Sequence, residues 1–205
     1  RDSNALSYTV TATGSCANLG NNNANWIFNN TDIRYWVGAI DSNWNDTANW
    51  SLTAGGEGGA SVPGIGFYAI FTEDVVTNCT LDVSPSIGGI TIASGYTGTV
   101  DANGHTVTLS LITEIAAGTL EIDTDAVLDI DMNLTISGGT LSAADAANLD
   151  IEGDVAMSSG ALIAPSAGSF TIAGNFNYTD GTFTNSSGTV AFDGASATAT
   201  ITTGG

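Results

Sequence analysis

The stretch LDIDMNLTIS, Leu128 to Ser137, places Asp129 and Asp131 two residues apart in an alternation of polar and apolar side chains. Carboxylates at this spacing suit two chemistries, an acid–base pair or a set of oxygen ligands for a hard cation such as calcium. Acid–base cleavage of a glycan would need partners, and the chain supplies few. It has no Lys, its cationic residues are Arg1 and Arg34, and its single histidine is His105. His105 lies in DANGHTVTL, which reads as an Asn-Gly turn leading into a strand, the context of a solvent-facing turn residue. No phosphate-cradling glycine loop, zinc-spaced His cluster or nucleophile elbow occurs, and the abundant Ser and Thr have no base to activate them. A polysaccharide lyase or hydrolase is therefore the remote reading, and a non-enzymatic role is expected.

The cation reading depends on what lies one repeat away. Adding 21 to Asp129 and Asp131 reaches Asp150 and Glu152. If the units stack in register, the four acids form a two-by-two grid, about 5 Å between turns and about 7 Å along the strand. Like charges directly opposed on a sheet are destabilising. Either calcium sits weakly among them, the one cofactor this composition suggests, or the face is repulsive but solvated, with salt screening beyond about 8 to 10 Å. Glu73 with Asp74, Asp123 with Asp125, and Asp154 are weaker candidates near turns.

The elements that would position these residues follow from an internal repeat. Gly118, Gly139, Gly160 and Gly181 stand 21 residues apart, opening GTLEI, GTLSA, GALIA and GTFTN. Leu120, Leu141, Leu162 and Phe183 share a column, as do Leu128, Leu149 and Phe170, and Ile130, Ile151 and Ile172. Leu134, Val155 and Phe176 form another, and Ile136, Met157 and Tyr178 the next; Val190 and Phe192 continue two columns at a spacing of 20. Within each unit the apolar residues alternate at period two, and Gly, Asn, Asp and Ser gather where the period breaks. The fold is expected to be all-β. Residue types preserved in columns favour a β-solenoid (β-helix) of about 21-residue turns over an antiparallel β-sandwich, because stacking sets like on like. On this pattern Leu128, Ile130, Met132, Leu134 and Ile136 form the core of one turn. The period runs back through GTVDANGHTVTLSL and IGGITIASG to a first turn in FYAIFTEDVVTNCTLDV, giving six or seven turns and a rod roughly 30 Å long.

Composition narrows the partners. A net charge of -19 makes nucleic acid and anionic membrane surfaces poor ligands, since both attract clustered Lys and Arg. No run approaches the roughly 20 apolar residues of a membrane helix. No basic start followed by an apolar stretch opens the chain, so a targeting segment is expected to be already removed or never present here. Cys16 and Cys79 are the only thiols in a chain rich in Gly, Thr, Ser and Asn that reads as secreted. They are expected to form a disulfide, worth about 3 to 4 kcal/mol on the loop-entropy account; the alternative is two buried free thiols. Asn-x-Ser/Thr triplets at Asn29, Asn45, Asn49, Asn78, Asn133, Asn177 and Asn185 are possible glycosylation sites, only slightly in excess of chance.

Three parts are expected: an N-terminal β-strand arm (1–15), a Trp-rich capping module (16–66) and the solenoid (67–205). In the second part Trp36, Gly38, Trp44, Asn49, Trp50, Ser51, Pro63 and Gly64 spell W.G....W.....NWS......PG, with an insert, TAGGEGG, before Pro63. This series resembles the module at the head of β-solenoid segments in bacterial extracellular surface and adhesin-like proteins. The resemblance covers about thirty residues and implies an exported, cell-surface or extracellular, mainly structural or adhesive role without naming a substrate. Trp36, Trp44 and Trp50 either cap the open end of the solenoid or, in the rival reading, Trp44 and Trp50 form a platform that stacks on carbohydrate.

The two ends suggest what such a protein would do. In ALSYTVTAT, Leu6, Tyr8, Val10 and Ala12 alternate with hydroxyl residues, the pattern of a free N-terminal strand. Near the C-terminus Ala195, Ala197, Ala199 and Ile201 alternate with Ser and Thr, and no charge follows Asp193. A neutral, unblunted strand edge invites pairing with another chain. The leading reading is a subunit of a self-assembling fibre or pilus-like filament, a homopolymer joined head to tail by β-strand addition. The alternative is an adhesin or carbohydrate-binding segment of a larger surface protein.

Overall fold

A computed structural model describes residues 10–13, 26–29, 33–194 and 200–203. From Tyr68 to Phe192 the chain winds through six turns, each of three short strands, and Ile201–Thr203 opens a seventh on one face. Strands from successive turns stack in parallel on three faces: two six-stranded short faces and a long face that reaches nine strands by adding two from the N-terminal module. In one turn, Leu134–Ile136 belongs to the long face, Thr140–Ser142 to the first short face and Asn148–Ile151 to the second. The ladders between turns are all parallel, which excludes the sandwich.

The 21-residue columns are the register of these ladders. Leu128 pairs with Leu149, Leu149 with Phe170, and Phe170 with Val190 after a step of 20. Leu134, Val155 and Phe176 stack on the long face, and Leu120, Leu141, Leu162 and Phe183 on the first short face. Alternation sends these side chains inward, where Leu128, Leu149, Leu134, Val155, Leu141 and Leu162 are wholly buried.

At the bends the backbones of adjacent turns touch. A Cβ on Gly139 would lie 2.2 Å from the Ala117 carbonyl oxygen, and one on Gly160 would lie 2.1 Å from that of Gly139. The repeated glycine is thus required by close approach. A second bend is tied by side chains at the same period. Asn133 Oδ1 accepts the Asp154 N–H at 2.9 Å, Asp154 Oδ1 accepts the Asn175 N–H at 2.7 Å, and Asn175 Oδ1 accepts the Thr200 N–H at 3.0 Å. This bend also corrects one core assignment. The alternation through Met132 spans a corner: the strand ends at Ile130, the next begins at Leu134, and Met132 points outward, 44% exposed.

The Trp-rich module is continuous with the solenoid. Ile33–Trp36 lies parallel to Tyr68–Phe71 at the end of the long face, and Asn43 bridges in parallel to Thr80 on the first short face. Trp50–Ser51 then returns antiparallel along Ile33–Trp36, covering that edge. Beneath it Trp36, Trp44, Trp50, Phe71 and Tyr96 are buried together; Trp50 meets Trp44 edge-on at 4.7 Å and Trp36 at 5.2 Å. Their polar atoms are satisfied, with Trp50 Nε1 donating to Trp44 O at 2.7 Å and Trp36 Nε1 to Thr77 O at 3.1 Å. Asn49, fully buried, donates to Asp41 Oδ1 and Asn43 O and accepts from the Ile40 N–H. Hydrogen bonds from the Asn43 N–H and then Asn49 hold the Asp41 carboxyl below its usual range. Arg34 is buried as well, bonded to Ser61 and stacked on the Phe67 ring.

Of the N-terminal arm, Val10–Thr13 pairs in parallel with Trp26–Asn29 as a separate two-stranded sheet, so this part of it does not stand free. Leu6 and Tyr8 lie outside the described residues.

Because the indole of Trp50 closes the core, Trp50→Ala is expected to cost about 3 to 5 kcal/mol. Leu52→Ala, two residues on but 64% exposed, should stay within about 0.5 kcal/mol. Urea unfolding of both variants checks the contrast, and equal costs would contradict the cap.

Candidate functional site

The ends of the stack differ. At the N-terminal end the last inward layer is aromatic and sealed. At the other, the columns reach solvent: Phe170 is 1% exposed, but Val190 above it is half-buried, and Ile201 above Phe176 is 57% exposed. Phe176, Tyr178, Phe183, Val190, Phe192 and Ile201 line an open apolar cleft of about 500 Å³. Phe183 meets Phe176 edge-on at 5.2 Å. Among the described residues, Thr182–Asn185 and Thr189–Phe192 are the last strands of the two short faces, each with one unpaired edge. Ile201–Thr203 occupies the corresponding edge of the long face. Of the anticipated C-terminal edge, Ala195, Ala197 and Ala199 lie outside the described residues.

The acidic grid forms only in part. Asp129 pairs directly with Asp150 across two turns of the second short face. Asp131 and Glu152 fall beyond the strand ends, exposed on the bends. Burial, then the charges of Asp131 and Asp150, push the Asp129 carboxyl above its usual range. Asp150 accepts a hydrogen bond from the Thr171 hydroxyl of the next turn. Among the described residues no three acidic, His or Cys side chains converge as a ligand set. Asp154 is engaged in the bend ladder, and Asp123 accepts the Gly104 N–H at 2.7 Å. Asn103 and Gly104 both have positive φ, so His105 follows a tight turn.

Three other assignments are corrected. Trp44 and Trp50 are 1% and 0% exposed and cross at 74°, so neither offers a face on which a sugar can stack. Cys79 occupies an inward position beneath Val100 and is a free thiol, fully buried; burial, followed by Asp82 and Asp101, pushes it well up. The expected bond to Cys16, which lies outside the described residues, is not made, because the Cys79 sulfur is packed into the core. Asn49 is sealed in the cap, leaving its amide no access to a glycosyl donor. Asn78 and Asn133 use Oδ1 to hold the next turn, at Thr99 and Asp154, while Asn45 and Asn185 are exposed and Asn177 half-buried. Asn29 belongs to a strand whose side chains are not described.

Two features escaped the sequence reading. The Asp41–Asn43–Asn49 network has no periodic signal. The ladder of Asn133, Asp154 and Asn175 does, at 21 residues, but its members are of mixed type. Searches against protein-family models, curated proteins and solved structures found no match to this chain. No described helix is long and apolar enough to cross a membrane.

A raised carboxyl pKa makes a signed prediction. Protonation is favoured in the folded state, so the contribution of Asp129 to stability is favourable below its unfolded value of about 3.9 and is lost as pH rises through the higher folded value. Asp129→Asn should therefore stabilise the protein at pH 7 by about 0.2 to 1 kcal/mol, an advantage that disappears below about pH 3.5. Calcium held at this pair would reverse the sign at pH 7. Thermal unfolding at both pH values, with calcium and with EDTA, distinguishes the two.

Proposed function

We propose that the protein is a non-enzymatic extracellular structural subunit whose copies join head to tail by β-strand addition into a filament. The carrying observation is the contrast between a sealed N-terminal end and an apolar end where, among the described residues, the last strand of each short face has one bare edge. Bare edges are templates for pairing, and a repeating head-to-tail contact that does not close makes an open fibre.

Charge supports the same reading. The chain carries -19, yet no charged residue occurs from Ser3 to Thr31, nor within Thr182–Asn185 or Thr189–Phe192. The arm of one copy and the open end of the next thus meet without mutual repulsion, while the acidic flanks keep filaments apart. The likeness of the Trp-rich module to those of bacterial surface proteins agrees with an extracellular location. An adhesive role on carbohydrate would need a surface other than the buried Trp44 and Trp50.

The intact chain should form filaments by negative-stain microscopy and grow in light scattering with concentration. Deletion of residues 1–13 should leave a folded monomer. An intact chain that stays monomeric at high concentration, or a deletion variant that polymerises equally well, overturns the proposal.

A further inference from the structure

Strand addition requires the incoming strand to choose an edge, and the three faces do not offer the same one. On the long face the chain's own Ile201–Thr203 fills this layer and is the last described strand, but its residues in register with Phe176 and Tyr178 are Ile201 and Thr203, only one of them apolar. On the first short face, Phe183 stacks on Leu162, but the next inward position, above the buried Ala164, is Asn185. On the second short face, Val190 stacks on Phe170 and Phe192 on Ile172, so two successive inward positions are apolar. Both also line the open cleft.

The backbone agrees. Asp193 donates its N–H to Ile172 O of the strand beneath. In a parallel ladder successive residues turn their polar groups to opposite sides, so those of Val190 and Phe192 face the free edge. The same two residues offer hydrogen bonds outward and apolar surface inward. An added strand must therefore bring apolar residues at every second position. Leu6, Tyr8, Val10 and Ala12 do so without a charge, and among the described residues Val10–Thr13 pairs along one edge only, with Trp26–Asn29.

We propose that the edge of Thr189–Phe192, on the second short face, is the acceptor for the N-terminal arm of a second copy, with Leu6 to Ala12 covering Val190 and Phe192. This rests on the strand-addition reading and names its site. It leaves the edge of Thr182–Asn185, ending in Asn185, outside the joint.

Two populations of the full-length chain test it. One carries Ser7→Cys, Thr9→Cys or Thr11→Cys, the hydroxyl positions of the arm's alternation; the other carries Ala191→Cys or Thr184→Cys, the outward positions of the last strands of the two short faces. After mixing, mild oxidation and non-reducing electrophoresis, with the unmodified chain as control, links are located by mass spectrometry. Ala191→Cys should link to at least one arm position between copies, and Thr184→Cys to none. Links to Thr184→Cys in place of Ala191→Cys, or filaments that form with neither link, overturn the edge assignment while strand addition itself survives in the first case. A mixture that stays monomeric overturns both.

Discussion

Everything in this molecule depends on each turn being covered by the next. A turn of about 21 residues holds three short strands and only six or seven buried apolar side chains, too few to enclose themselves. Burial comes from stacking: Leu128 is sealed because Val107 lies on one side of it and Leu149 on the other. Burying such a side chain contributes about 1.5 to 3 kcal/mol relative to leaving it in water, and a column yields that at every turn except its last. Where stacking stops, both hydrophobic surface and ladder hydrogen bonds are forfeited together.

The two ends meet this constraint differently. At the N-terminal end the chain spends a whole module on closure, reversing direction once at Trp50–Ser51 and filling the last layer with three indoles whose N–H groups or neighbouring loops are tied by Asp41, Asn49 and Thr77. At the other end two columns gain rings, from Leu162 to Phe183 and from Val155 to Phe176, and among the described residues no strand returns above the short faces. Such rings present more apolar area to a partner than the aliphatic residues beneath them. In the proposed assembly an acidic body with neutral contact segments would add selectivity, since other approaches between copies bring carboxylates together.

Much of this was legible in the residues. The glycine at every twenty-first position and the columns of Leu and Ile fix the solenoid, because close backbone approach and like-on-like packing both leave periodic marks. The positions of Asp129 and Asp150 followed from the same period. Corners were harder to read. Met132 continues the alternation into a bend where inward and outward no longer alternate, and Asp131 and Glu152 leave the strand at the same corner, so the expected grid loses half its members. The Trp residues and Cys79 illustrate a different limit: composition says that such side chains matter, but only the packing tells whether a ring is a platform or a plug, and whether a thiol can reach a partner. Sequons fail in the same way at Asn49, whose triplet is intact and whose amide is buried.

The central claim is that the bare edge at Thr189–Phe192 is completed by another copy of the chain. Amide hydrogen exchange at Val190 and Phe192, followed in dilute monomer and in assembled material, tests it most directly. Both amides should exchange rapidly in the monomer and slow by at least about a hundredfold on assembly, a protection of about 2.7 kcal/mol. Equal, rapid exchange in both states, or full protection already in the monomer, would contradict the account.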